Sequence, residues 1–187
     1  MVMPVIKTNR ESIIQKSIHL FKVHGYNSTT MATIGEACGL IKGSIYHHFK
    51  SKEELALECL KYIHEYFNRE IFSIAYTKQL SPKDKLILFT KKVEEYFMNS
   101  EGGCLLGNFA LEISNNIPLF KNEIIEYFKN WEEAIYQILK PEIGEKQAKE
   151  KAMQIVSATQ GSIMLMRIYG KPDPFKIQNK AIIDFLP

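Results

Sequence analysis

From Lys42 to Lys52 the chain reads Lys-Gly-Ser-Ile-Tyr-His-His-Phe-Lys-Ser-Lys, a run of cationic, hydroxyl, imidazole and phenol groups without a carboxylate. Two kinds of chemistry are open to such residues. Histidines can ligate a metal or move protons, whereas lysines and hydroxyls can grip phosphate. Spacing decides against the first. His47 and His48 are neighbours, which on a helix point about 100° apart, and no His-Glu-x-x-His pattern accompanies them. The three cysteines, Cys38, Cys59 and Cys104, are scattered and form no Cys-x-x-Cys pair, so neither a thiolate metal site nor a disulfide framework is expected, and the thiols suit the reducing cytoplasm. No Ser-His-Asp set or phosphate loop is present either. The sequence therefore predicts no catalytic residue, no metal and no cofactor. It points instead to contact with an anionic partner.

Charge distribution supports that direction. The 187 residues carry a net charge of only +3, but residues 1–52 hold seven basic side chains (Lys7, Arg10, Lys16, Lys22, Lys42, Lys50, Lys52) and two acidic ones (Glu11, Glu36), a net +5. The remainder holds seventeen basic and nineteen acidic residues, a net −2. Such asymmetry marks a nucleic-acid or anionic surface. With 45% hydrophobic and 24% charged residues the composition is that of a globular protein. No apolar run reaches the roughly 18 residues of a membrane span, and the start, Met-Val-Met-Pro, lacks the pattern of a signal peptide.

The elements that must position these residues are helical almost throughout. Thr8 and Glu11 form a capping box ahead of Ile14, Ile18 and Phe21, and Gly25 supplies a stop. Ser28, Thr29 and Thr30 offer the next N-cap, followed by a short stripe of Ile34, Ala37 and Cys38 that ends at Gly39. A tight turn leads to Lys42–Phe49, where Ile45 and Phe49 face inward. Ser51 and Glu54 make another box, opening a helix of about six turns through Leu55, Cys59, Ile63, Phe67, Ile71 and Ile74. Ser81-Pro82 starts the next helix, lined by Leu86, Phe89, Val93 and Phe97. Gly102-Gly103 breaks the chain before a shorter helix from Cys104 to Ser114, and Asn115-Asn116-Ile117-Pro118 breaks it again. Phe120 to Ile135 marks a helix closed between Pro141 and Gly144. Another runs from about 145 to 169, and a last one from Pro174 to Phe185. The expected fold is all-α, with about nine helices.

Three short helices, the second and third joined by a tight glycine turn, describe a helix-turn-helix. Its third helix must be braced from behind so that its polar face can lie in the major groove. Ile34, Ala37, Leu40, Ile45 and Phe49 would brace it. Lys42, Gly43, Ser44, Tyr46, His47 and His48 would face outward.

Residues 28–55, Ser-Thr-Thr-Met-Ala-Thr-Ile-Gly-Glu-Ala-Cys-Gly-Leu-Ile-Lys-Gly-Ser-Ile-Tyr-His-His-Phe-Lys-Ser-Lys-Glu-Glu-Leu, resemble the DNA-binding motif of the TetR family of bacterial transcription regulators. Gly102–Asn108 and the stretch from Gln160-Gly161 to Pro174 are similar to family members as well. The resemblance implies a DNA-binding domain over residues 1–52 and a ligand-sensing and dimerisation domain over 53–187. It implies a dimeric repressor on a palindromic operator in double-stranded DNA, with a small-molecule effector and no membrane partner. By position, Thr30 caps the second helix and touches a phosphate. Lys42, Gly43 and Ser44 lie near base edges, Tyr46 and Lys52 grip phosphates, and His47, His48 and Lys50 lie beside the groove. One departure stands out. Many relatives have Val-Ser where this chain has Leu40-Ile41, and isoleucine can neither cap a helix nor donate to phosphate.

The C-terminal helices can enclose a cavity whose polar groups interrupt apolar stripes. Asn108, Glu112, Tyr127, Trp131, Gln160 and Met164 are the candidates, with Tyr66, Phe67 and Phe97 as aromatic walls, and they suit a largely apolar or aromatic effector. Small residues amid apolar ones between 155 and 166 point to a homodimer through Ile155, Ala158, Thr159, Ser162 and Met166. A helical ligand carrier or enzyme, and an activator of the same fold, are the competing readings.

Overall fold

Four of the first five helices start where a side chain can accept one of their unpaired N–H groups. Asn9 accepts from the Ser12 amide, Thr30 from Thr33, Ser51 from Glu54 and Ser81 from Asp84. The computed structural model describes residues 9–112 and 117–187, so Thr8, expected as the first cap, lies outside the described residues. Asn9 takes that role instead. The helices are α1 (Arg10–His24), α2 (Met31–Cys38), α3 (Lys42–His48), α4 (Lys52–Glu70), α5 (Pro82–Met98), α6 (Leu105–Glu112), α7 (Pro118–Ile143), α8 (Glu145–Tyr169) and α9 (Asp173–Ile183). A 3-10 turn covers Phe72–Tyr76, and no strand occurs among the described residues. The Asn115-Asn116 breaker and the expected end of the sixth helix at Ser114 also lie outside the described residues.

The end of the fourth helix differs from expectation. α4 stops at Glu70 and the chain tightens into the 3-10 turn, which still buries Ile71 and Ile74. α7 runs through Pro141 and closes at Ile143 before Gly144, within the stretch expected to end it. Ala37 faces solvent instead of joining the brace, while Ile34, Ile45 and Phe49 are buried and Leu40 is half-buried.

α1 packs on α2 and α4, and α2 packs on α3. In the larger part α7 lies against α8, α8 against α9, and α9 against α5, while α4 crosses onto α7. The centre is aromatic. The Phe67 ring lies 5.3 Å from Tyr127 and 5.8 Å from Trp131, and Phe97 stacks on Trp131 at 6.4 Å. All four are at most 1% exposed. Phe67, Phe97, Tyr127 and Trp131, expected to wall an effector cavity, thus fill one another's space as core. Tyr66, half-buried against Tyr96 at 5.5 Å, belongs to the rim of the same cluster.

Lys22 on α1 is 3% exposed. Its ammonium donates to the Ser100 hydroxyl and sits 5.1 Å from the Tyr96 ring centre. Burial lowers its pKa to about 8. An unfolded lysine keeps its proton to about pH 10.4, so between pH 8 and 10 this side chain binds more proton in the unfolded chain and its own contribution to stability rises with pH. The buried thiols and phenols act in the opposite sense, because burial raises Cys38, Cys59, Cys104, Tyr26 and Tyr96 while their unfolded counterparts ionise. Urea melts of the parent chain and of Lys22→Met isolate the lysine: the change in stability from pH 8 to 10 should be about 2 kcal/mol more favourable in the parent. The same pH dependence in both chains would contradict a buried ammonium.

Candidate nucleic-acid interface

α3 is seven residues long, with one face buried and one open. Ile45 and Phe49 are 0% and 1% exposed. Lys42, Gly43, Tyr46, His47 and Lys50 are exposed, and Ser44 and His48 are half-buried. Lys42 leans toward Tyr46, its Nζ 5.9 Å from the ring centre. The turn into α3 follows Gly39, whose φ of +68° is the left-handed conformation that suits glycine. Thr30 is exposed at the start of α2, its hydroxyl accepting from the Thr33 amide. Ile41 is the N-cap of α3, makes no side-chain cap bond and is 78% exposed. An apolar side chain thus projects where a serine would cap.

A helix this short leaves carbonyls unpaired at its end, and cations can satisfy them. Arg10 does so for α3. Its Nη1 donates to the His48 carbonyl at 2.5 Å, and its guanidinium lies 4.1 Å from the Phe49 ring centre. The Glu58 and Glu54 carboxylates hold its other end at 3.4 and 3.7 Å. Lys16 does the same for α2, donating to the Ala37 carbonyl at 2.8 Å. Lys52, expected to grip a phosphate, is turned inward. Its Nζ donates to the Tyr26 and Thr29 carbonyls at 3.0 and 3.2 Å and sits 4.1 Å over the Tyr26 ring. So the +5 of the N-terminal segment is not a uniform surface charge. Arg10, Lys16, Lys22 and Lys52 hold the domain together, Lys42 and Lys50 face outward, and Lys7 lies outside the described residues. Sequence reading missed Arg10 and Lys16, because their partners lie 38 and 21 positions away. The basic character of Arg10 just after an N-cap was their only signal.

The predicted effector residues separate. Asn108 donates its amide to the carbonyls of Lys22 and Gly102, and Glu112 accepts the backbone N–H groups of Tyr26 and Asn27. Both therefore tie α6 to the end of α1 and the loop that follows it. Asn108, Gln160 and Met164 do line a cavity of about 320 Å³ between α6, α7 and α8, with Cys104, Gly107 and Phe128. Burial keeps the Cys104 thiol above its usual pKa, which disfavours the thiolate. Of the predicted dimer residues, Ile155, Thr159 and Ser162 are 4%, 2% and 6% exposed, because α8 turns those positions toward its own protomer. Ala158 is exposed and Met166 half-buried. Among the described residues no group of three His, Cys, Asp or Glu side chains is placed to hold a metal, and no helix is long and apolar enough to cross a membrane.

Residues 13–59 match the family model described as bacterial regulatory proteins, tetR family. Residues 82–181 match that of the LmrA/YxaF-like transcriptional regulator C-terminal domain. The chain is 27% identical to the HTH-type transcriptional regulator LmrA of Bacillus subtilis over 95% of its own length and 96% of that protein. It is 28% identical to the HTH-type transcriptional repressor DhaR of a Mycobacterium species over 65% of its length, spanning 61% of that relative. A TetR transcriptional regulator from Legionella pneumophila has the same fold, with a TM-score of 0.86 at 24% identity over 99% of this chain and all of that one.

If Lys52 holds carbonyls, Lys52→Met should lower the unfolding free energy by about 1–3 kcal/mol, read in urea melts. Exposed Lys50→Met should change it by less than about 0.5 kcal/mol. The reverse ranking would place the Lys52 ammonium in solvent.

Proposed function

The chain belongs to the TetR family of bacterial regulatory proteins, and from that premise we propose that it is a dimeric, ligand-released repressor acting in the cytoplasm. Residues 1–52 read a palindromic operator, and residues 53–187 sense the effector and form the dimer. The observation that carries this reading is the outward face of α3. It is polar and cationic, and it is held from behind by Arg10, Ile45 and Phe49. A face built that way has no use within the protomer and suits the major groove.

Gly43 adds support. A methyl group at that position would meet nothing within 4 Å in the protein, and its φ is not positive. The fold has no need of glycine there, and the missing side chain leaves room for a DNA strand to pass close to the backbone. Lys42 and Ser44 approach base edges. Tyr46, Lys50 and Thr30 hold phosphates, and His47 and His48 flank the groove. Phosphate contacts set register and salt dependence while base contacts set sequence.

Two recognition helices roughly 34–36 Å apart match successive major grooves, which requires a two-fold protein. The solvent-facing strip of α8, with Ser157, Ala158 and Ile168, and Ile177 of α9 supply the pairing surface. The effector is a largely apolar molecule in the cavity lined by Asn108, Gln160 and Met164. Its binding changes the spacing of the two reading helices, and operator affinity falls by the coupling energy, typically about 1–3 kcal/mol.

Selection of random-sequence duplexes by the purified protein should enrich an inverted repeat. Gly43→Ala should leave the fold at least as stable, gaining up to about 1 kcal/mol of helix propensity, yet weaken binding to the selected duplex at least tenfold. Recovery of no sequence above background, or full binding by Gly43→Ala, would contradict the proposal.

A further inference from the structure

Ile41 stands in the turn between α2 and α3 with 78% of its surface in solvent. Among the described residues before α4 it is the one large aliphatic side chain so exposed. The other large apolar group in the open there, Tyr46, carries a hydroxyl.

The backbone that presents Ile41 is fixed on both sides. The Gly39 amide donates to the Glu36 carbonyl at 3.0 Å, and the Leu40 amide to the Gly35 carbonyl at 2.8 Å. The turn lies hard against α2, since a Cβ on Gly35 would stand 2.8 Å from the Leu40 carbonyl oxygen. On the far side the Ile41 carbonyl accepts the Ser44 amide at 2.9 Å. Leu40 packs half-buried against the core, and Ile41 follows it in extended backbone, with φ −71° and ψ 153°. Its side chain is branched at Cβ and therefore stiff about χ1, so it loses little freedom when a partner covers it.

Neither the residue type nor its exposure serves the fold. Asn9, Thr30, Ser51 and Ser81 cap their helices with a side-chain oxygen, and Ile41 leaves α3 without one. An isoleucine in water contributes no hydrophobic stabilisation until something apolar covers it. Both features suit contact with an apolar group outside the protomer.

The neighbours of Ile41 say where that group lies. Lys42 and Gly43 follow directly and are exposed on the same element. With α3 in the major groove, residues at the start of the helix meet base edges. The edges there present hydrogen-bonding atoms and one apolar group, the 5-methyl of thymine.

We infer that Ile41 is a specificity-determining residue that packs on the 5-methyl group of a thymine in each half-site. The inference rests on the reading of the chain as a dimer that binds DNA through α3. It adds to that reading one base and the group by which the base is recognised. Lys42 and Ser44 select hydrogen-bonding atoms, and Ile41 selects a methyl.

Deoxyuridine lacks that methyl alone and is the probe. In the duplex that the parent protein selects, each thymine is replaced in turn by deoxyuridine, at the symmetric positions of both half-sites. Binding is measured with the parent, with Ile41→Ala and with Ile41→Ser, which supplies the missing cap and keeps α3 at least as stable. At one symmetric pair the parent should lose about fourfold per half-site, the worth of one methyl withdrawn from burial, while both variants lose less than about twofold in all. A fresh selection with Ile41→Ser should drop the thymine preference at that pair and keep the rest of the inverted repeat.

Deoxyuridine losses equal in the parent and both variants, or no thymine whose methyl matters to the parent, overturn this inference and leave the repressor reading standing. A parent protein that selects no duplex overturns both.

Discussion

A helix of seven residues has no stability of its own in water, since nucleation costs more than two turns of hydrogen bonds return. That constraint shapes the first seventy residues. α3 exists because Ile45 and Phe49 are buried beneath it and because Arg10 takes the carbonyl at its end. Arg10 can do this only because α1, packed on α2 and α4, begins beside the end of α3, and because α4 returns with Glu54 and Glu58 to hold the guanidinium. The polar outer face is what remains once those requirements are met. Cations that look on paper like a phosphate-binding surface are largely fasteners, and the outward charge comes from Lys42 and Lys50.

Besides the contact of Lys22 with Ser100 and Tyr96, the reading domain and the helical body are joined through α4 and through α6. α4 begins at the Ser51 cap, immediately behind α3, and runs onto α7. There the buried His64 ring is held on both sides, with Nδ1 2.6 Å from Glu123 Oε1 and Nε2 2.9 Å from the Asn130 side-chain amide. α6 is the second joint, through Glu112 and Asn108. Both joints meet at the loop of Tyr26, whose ring touches Phe21, Phe109 and Phe120 and whose hydroxyl donates to Glu53. A change in the body thus has two routes to α3, one through α4 and one through the α1–α2 loop.

Local signals in the sequence were legible. Thr30, Ser51 and Ser81 are caps whose partners lie three residues away, and the helical periodicity of Leu86, Phe89, Val93 and Phe97 needs no tertiary knowledge. Long-range roles were not. Lys52 finds its carbonyls 26 and 23 positions back, and Glu112 finds its amides 86 and 85 positions back. Each looks in sequence like an ordinary surface charge. Periodicity also identifies an apolar face without saying what covers it. Tyr127 and Trp131 meet their own core, and Ile155 and Thr159 turn toward their own protomer, where the same pattern would equally suit an effector or a second chain. The turn at Phe72–Tyr76 escaped because Ile71 and Ile74 keep a spacing that serves a 3-10 turn as well as an α-helix.

The central claim is that the polar face of α3 enters the major groove of DNA in two copies. An iron chelate tethered at the exposed position 47, in His47→Cys, would generate strand cleavage wherever that face rests on the selected duplex. The account predicts cuts that flank the major groove in two patches about one helical turn apart. Cuts centred on the minor groove, or spread evenly along the duplex, would contradict it.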